Sequence, residues 1–205
     1  MIGVQDDHAL LGRLRAGDEA AFEALVARHD RALRRVARTF VRTPADADDV
    51  VQETWLAVIR GLDQFEGRAS LTTWIFRILI NRARTRASRD ARSVPFSALQ
   101  DDDDRPAVDS AAFAGDGRWR SAPPRLESDP EASVLGVELR THLLQAVEQL
   151  APAQRAVITL RDLVGLETED VCSLLEISDG NARVLLHRAR ARVRAALGGL
   201  VEVTS

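Results

Sequence analysis

The chain has no tyrosine, no lysine, a single methionine and a single cysteine in 205 residues. One cysteine, Cys172, excludes an internal disulfide and fits a reducing compartment, so a cytoplasmic location is expected. No apolar run approaches the length of a bilayer span, and direct membrane insertion is not expected. The start, MIGVQDDHALLGRLR, has no long apolar segment after a basic opening, so no signal peptide is expected either. Four scattered histidines (His8, His29, His142, His187) offer no metal-ligand set. There is no phosphate-cradling glycine loop and no nucleophile–base pair. No metal, no cofactor and no catalytic residue is therefore expected, and an enzyme is the wrong class. No stretch alternates apolar and polar residues for long enough to need a sheet, which leaves an all-α fold.

What is present is arginine: all 28 basic residues, against 31 acids, for a net charge of −3. A GC-rich genome accounts for the preference over lysine, although the planar guanidinium does suit phosphate and guanine. The charge is unevenly spread. Residues 1–90 hold 15 arginines and 13 acids, 91–135 hold 5 and 9, and 136–205 hold 8 and 9. The middle stretch is rich in Asp, Pro, Gly, Ser and Ala and shows no periodicity. A structureless insert of that length inside one domain is rare, so two small helical domains, 1–92 and 134–200, joined by a long acidic linker, 93–133, are expected.

Both flanks read as helices. Asp18 opens a helix burying Phe22, Leu25, Val26, Leu33, Val36, Ala37 and Phe40. Thr43 or Asp46 opens a second, with Val51, Trp55, Val58, Ile59 and Leu62 inside. Ser70 opens a third, burying Leu71, Trp74, Ile75, Ile78 and Leu79. Beyond the linker lie ELRTHLLQAVEQL, PAQRAVITLRDLVG with Pro152 at a first turn, ETEDVCSLLEI and ARVLLHRARARVRAAL.

The last two, joined across SDGN, have the pattern of a helix-turn-helix. A recognition helix puts its early residues on base edges and later ones on the backbone. That assigns Arg183, Val184, His187 and Arg188 to bases, and Arg190, Arg192 and Arg194 to phosphates. The second signal is DADDVVQETWLAVIRGL, which gathers Asp48, Asp49, Gln52 and Glu53 at the first turns of a helix. The loop and helix after it carry Arg77, Arg82, Arg84, Arg86, Arg89 and Arg92 against one acid, with Phe65, Trp74, Phe76 and Asn81 interleaved. Arginine for phosphates and flat or amide groups for bases is the chemistry of a single-strand platform. Trp74 and Phe76, two positions apart, cannot share a face; Trp74 is expected mainly in the core and Phe76 more exposed.

GDEAAF, DDVVQETW, FEGRASLTTWIFRILINRARTR and LAPAQRAVITLRDLVGLETEDVCSLLEIS, in that order before a basic helix, resemble the extracytoplasmic-function (ECF) group of bacterial RNA polymerase sigma factors. The resemblance implies a transcription initiation factor. Its partners would be core RNA polymerase, promoter DNA and an anti-sigma factor. It implies that Asp49, Gln52, Glu53 and Trp55 dock on the β′ clamp of core polymerase. Phe65, Arg68, Ser70, Trp74, Phe76, Arg77, Asn81, Arg82 and Arg84 would read and hold the melted minus-ten strand. Asn81 would sit on a flipped-out base with the loop Phe65–Ser70 beside it. The helix-turn-helix would read the minus-thirty-five element while resting on the β flap.

The sequence departs from the family pattern where the recognition helix opens. It reads Asn181, Ala182, Arg183, Val184, Leu185 in place of a more polar run, so a promoter sequence does not carry over. The Asp101–Asp104 run reads as solvated charge. Two other classes compete: a stand-alone helix-turn-helix regulator and a metal-dependent nucleic-acid hydrolase. The acidic net charge and the second basic, aromatic helix weigh against the first, and the missing metal set against the second. Affinity for DNA rises with the phosphates neutralised, so an acidic chain with two basic patches suits a subunit carried to DNA by a larger partner.

Overall fold

The computed structural model describes residues 4–89 and 134–201, and every regular element among them is helical. The N-terminal group is α1 (Val4–Arg15), α2 (Glu19–Phe40), α3 (Pro44–Gly61) and α4 (Leu71–Arg89). The C-terminal group is α5 (Val134–Glu148), α6 (Pro152–Ile158), α7 (Thr168–Leu175) and α8 (Asp179–Val201). The linker's Asp101–Asp104 run, Phe113 and Trp119 lie outside the described residues.

Short polar side chains start the helices by meeting donors that the first turn leaves open. Asp18 Oδ1 accepts from the Ala21 N–H at 3.0 Å. Thr43 Oγ1 accepts from the Asp46 N–H at 3.1 Å and donates to the Asp46 carboxylate at 2.6 Å, with Pro44 in the first turn. Ser70 Oγ accepts from the Thr73 N–H at 3.0 Å. Each such cap stabilises its helix by about 1 kcal/mol. The first helix, α1, was not anticipated from the sequence. It buries Leu11 and Leu14, and its Arg15 reaches across to the carbonyls of Leu62 (3.1 Å) and Phe65 (2.7 Å). That guanidinium straps the loop that leads into α4.

The larger departure is that the two helical groups share one apolar core. Leu33, Val36, Ile75, Phe76 and Leu79 belong to the same buried cluster as Val157, Leu160, Val171, Leu174 and Leu175. A smaller cluster, Val147, Leu150, Ile158, Ala189 and Val193, holds α5, α6 and α8 together. Beyond α6 the chain makes one π turn over Thr159–Leu163, where the Val164 N–H reaches the Thr159 carbonyl at 2.9 Å. Gly165, at φ +86°, then lets the Leu166 N–H fold back to the Leu160 carbonyl at 3.0 Å.

Three placements correct the sequence reading. Phe76 is fully buried and Trp74 is only half-buried, the reverse of what was expected. The two rings do diverge, but α4 packs against α2 and α3 over a wide arc that runs through Phe76, Ile80 and Ala83, leaving Trp74 at its margin. Trp55 is 8% exposed and meets Phe22 edge-to-face at 5.8 Å, inside as its spacing predicts, which leaves little of the ring for the docking contact that the resemblance implied. Ile59, expected inside, is 51% exposed because the buried stripe of α3 runs through Val51, Thr54, Trp55 and Val58.

Candidate nucleic-acid interface

On α3 the buried arc leaves an outward stripe of Asp49, Gln52, Leu56 and Ile59, spaced three, four and three residues apart. Leu56 is 52% exposed, and with Ile59 it forms an apolar patch one to two turns beyond the amide and acid groups. Sequence reasoning missed this pair, although the spacing from Gln52 was there to be used. Glu53 lies at the edge of the stripe, where its carboxylate accepts from Arg82 at 3.1 Å. Arg86 bridges Asp46 at 2.7 Å and Asp49 at 3.1 Å. The Thr43 hydroxyl, and after it Arg86, hold the Asp46 carboxyl below its ordinary range. The same two carboxylates raise Arg86 above the ordinary arginine value. Exposed pairs of this kind are screened by solvent and contribute little to stability, so Asp49, Glu53 and Arg82 can exchange partners cheaply.

The loop between α3 and α4 and the first turns of α4 enclose a groove of about 250 Å³ lined by Phe65, Arg68, Ala69, Trp74 and Arg77. That volume is below the roughly 300 Å³ at which pockets for drug-sized ligands begin. Phe65 packs on Trp74 at 5.0 Å, tilted by 43°, which gives the groove an aromatic wall. Gly61 makes room for that wall, since a Cβ there would come within 3.0 Å of Trp74 Cζ2. Arg68 is exposed and pairs with Glu66, and Ser70 serves as the cap of α4. Asn81 does not share this groove. It lies in a second one between α3 and α4, with Glu53, Arg82, Thr85 and Arg86. The two grooves follow one another along α4.

Two of the arginines expected on a strand are engaged by the C-terminal group. Arg77 Nη2 lies 3.4 Å from Ser173 Oγ. Arg84 pairs with Glu176, donates to the Leu175 carbonyl at 3.1 Å, and sits 5.9 Å from the Phe40 ring centroid.

In the C-terminal group α7 and α8 form a helix-turn-helix. Its turn is tighter than the four residues SDGN: α7 ends on Glu176 in the left-handed conformation (φ +58°), and Ser178 accepts from the Asn181 N–H at 3.2 Å to start α8. Arg183, Val184 and Arg194 are exposed, and Arg183 pairs with Asp179 at 2.8 Å. His187 and Arg188 are half-buried beside them. Arg190 faces inward, as its guanidinium holds Asp162 with two bonds of 2.8 and 2.7 Å. Arg192 donates to the buried Gln154 at 3.1 Å. These two arginines tie α8 to α6 and its π turn, a different task from the phosphate contact expected of them. Cys172, on α7, is partly buried, and burial pushes its thiol up.

Among the described residues no group of histidine, cysteine, aspartate and glutamate could hold a metal ion, and no helix is long and apolar enough to cross a membrane.

Against known proteins, residues 25–93 match the model of Sigma-70 region 2, and residues 140–193 match that of Sigma-70, region 4. The chain is 31% identical over 201 residues to the RNA polymerase sigma-H factor of Pseudomonas aeruginosa, covering 98% of each chain. It is 31% identical over 187 residues to the ECF RNA polymerase sigma-E factor of Escherichia coli K12, covering 91% of this chain and 92% of that one. In fold it resembles the sigma factor RpoE of Bartonella quintana, solved with the anti-sigma factor NepR. That match has a TM-score of 0.50 and 24% identity, over 86% of this chain and 96% of the other.

Proposed function

From a chain that belongs to the ECF group of sigma-70 factors, we infer a promoter-specificity subunit of bacterial RNA polymerase that works through three faces: α3, the loop and grooves of α4, and α8. It is a transcription initiation factor and not an enzyme. Residues 1–92 act as region 2, 134–200 as region 4, and 93–133 as the tether between them.

The α3 stripe docks on core polymerase at the β′ clamp. Asp49, Gln52 and Glu53 supply the polar contacts; Leu56 and Ile59, rather than Trp55, supply the apolar ones. An exposed apolar pair rimmed by polar groups is the usual make-up of a protein interface. The Phe65–Trp74 groove takes an unstacked base, with Arg68 and Arg77 meeting the phosphates on either side. Asn81, Arg82 and Arg84 carry the strand along α4. Phe76 supports this surface from inside. On α8, Arg183, Val184, His187 and Arg188 face the minus-thirty-five bases and Arg194 the backbone, while the domain rests on the β flap. By analogy with the RpoE–NepR pair, an anti-sigma factor covering the polymerase-docking faces would keep the protein silent. Its place of work is the cytoplasm, with polymerase.

One observation carries this reading. An acid-and-apolar stripe on α3 stands next to an arginine-lined double groove on α4, so a protein and a strand can be held at once. The test is transcription with purified core polymerase on DNA upstream of the gene, with and without the protein. Discrete transcripts that need the protein and disappear in D49A/Q52A/E53A are expected. No transcript, together with binding of a duplex operator by the protein alone, would make it a stand-alone regulator instead.

A further inference from the structure

We propose that Arg15 of α1 is a positioning residue for promoter reading: its guanidinium fixes the loop that carries Phe65, so that the Phe65–Trp74 wall is in place before a base arrives. The inference rests on the sigma-factor reading, in which that groove takes an unstacked base.

Three carbonyls, 47 to 50 residues away in sequence, converge on this one side chain. Arg15 Nε donates to the Leu62 carbonyl at 3.1 Å. Its Nη2 donates to the Phe65 carbonyl at 2.7 Å and lies 3.5 Å from that of Asp63. These carbonyls sit where α3 ends and runs on into a short 3-10 turn over Leu62–Gln64. Oxygens at a helix end lack partners inside the helix and carry the negative pole of its dipole, where a cation is held best. A guanidinium presents its donors in a planar fork, so two of its nitrogens reach Leu62 and Phe65 at once. An ammonium has one nitrogen to offer.

Among the described residues, no other side chain from outside the loop and α4 hydrogen-bonds residues 62–70. The remaining ties are local: Arg68 with Glu66, Ser70 with Thr73, and Phe65 on Trp74. Gly67, at φ +71°, gives the same loop backbone freedom instead of restraint.

The helix that supplies Arg15 is itself anchored. Leu11 and Leu14 are buried in the common core. Arg13 holds Asp18 at 2.8 Å, and Asp18 in turn caps α2. The core thus fixes α1, α1 fixes Arg15, and Arg15 fixes the loop. Because α1 precedes residues 25–93, which match region 2, that match gives this helix no role.

The consequence is for discrimination between bases. A base that fits the groove is captured only by an ordered loop, and one that does not fit never engages it. Without Arg15 the loop must be ordered at the moment of capture, and that cost falls on the matched promoter alone.

The test is transcription by the full chain with core polymerase on DNA upstream of the gene, each base of the minus-ten segment being changed in turn. Initiation on the native template is divided by initiation on each changed one. A variant that merely folds less well lowers both alike and leaves this ratio where it was. At the most discriminating position, Arg15→Ala should pull the ratio toward one by about fivefold to thirtyfold, the cost of ordering one residue's backbone. Arg15→Lys should do nearly as much. A ratio in Arg15→Ala within about twofold of wild type would overturn the positioning role. Full recovery with Arg15→Lys would overturn it too, since charge alone, as in a phosphate contact, would then account for the effect. A wild-type chain that transcribes without preference in that segment would remove the groove as a base site, and this inference with it. No transcript from the wild-type chain would sink the sigma-factor reading and the inference together.

Discussion

Replacing Leu56 and Ile59 together by alanine separates docking from folding. Full burial of a leucine or isoleucine stabilises by about 1.5–3 kcal/mol relative to exposure. With 52% and 51% of these residues still exposed in the free chain, about half of that is available to a partner. The pair is therefore worth about 1.5–3 kcal/mol of binding, roughly a tenfold to 150-fold rise in the Kd for core polymerase. Folding should barely notice, because both positions are on the outer face of α3 and alanine is the better helix former. Urea unfolding should stay within about 0.5 kcal/mol of the parent. The assay is a titration of labelled protein with core polymerase, paired with the unfolding curve. A Kd changed less than twofold would remove the apolar pair from the docking face. A stability loss above about 1.5 kcal/mol would mean that these residues belong to the core.

Phe76→Ala should destabilise the chain by about 3–5 kcal/mol in denaturant unfolding, the cost of emptying a fully buried aromatic site; weaker strand binding with unchanged stability would return Phe76 to the DNA face. Arg190→Ala should cost about 1.5–3 kcal/mol of stability through the lost double bond to Asp162 and leave the salt dependence of DNA binding by holoenzyme unchanged. Arg194→Ala should instead leave stability alone and lower the salt slope by about one, measured by holoenzyme binding at several ionic strengths. Asp46 is held below its ordinary value of 3.8, so its contribution is complete above that pH and is lost as pH falls through the lower, folded value. Asp46→Asn should therefore flatten the acid limb of a stability–pH curve below about pH 4 and shift the neutral plateau by a constant amount; an unchanged acid limb would dismiss the Thr43–Arg86 arrangement.

Much of this protein follows from local pattern. Helix starts at Asp18, Thr43 and Ser70 are written in short polar residues followed by three- and four-residue apolar spacing, because a first turn needs acceptors wherever it forms. The order of acidic helix, basic aromatic helix and helix-turn-helix was equally visible, since composition and spacing survive without coordinates. Which member of an ambiguous pair lies inside was not. Phe76 against Trp74, and the exposure of Ile59, depend on how many neighbours a helix packs on: α4 is covered over a wide arc and α3 over a narrow one. Nor could sequence show that Arg190 turns to Asp162, that Arg15 straps the loop at Phe65, or that Arg84 closes on Glu176. Arginine suits a phosphate and a carboxylate equally, and only the packing of distant segments brings one of them within reach.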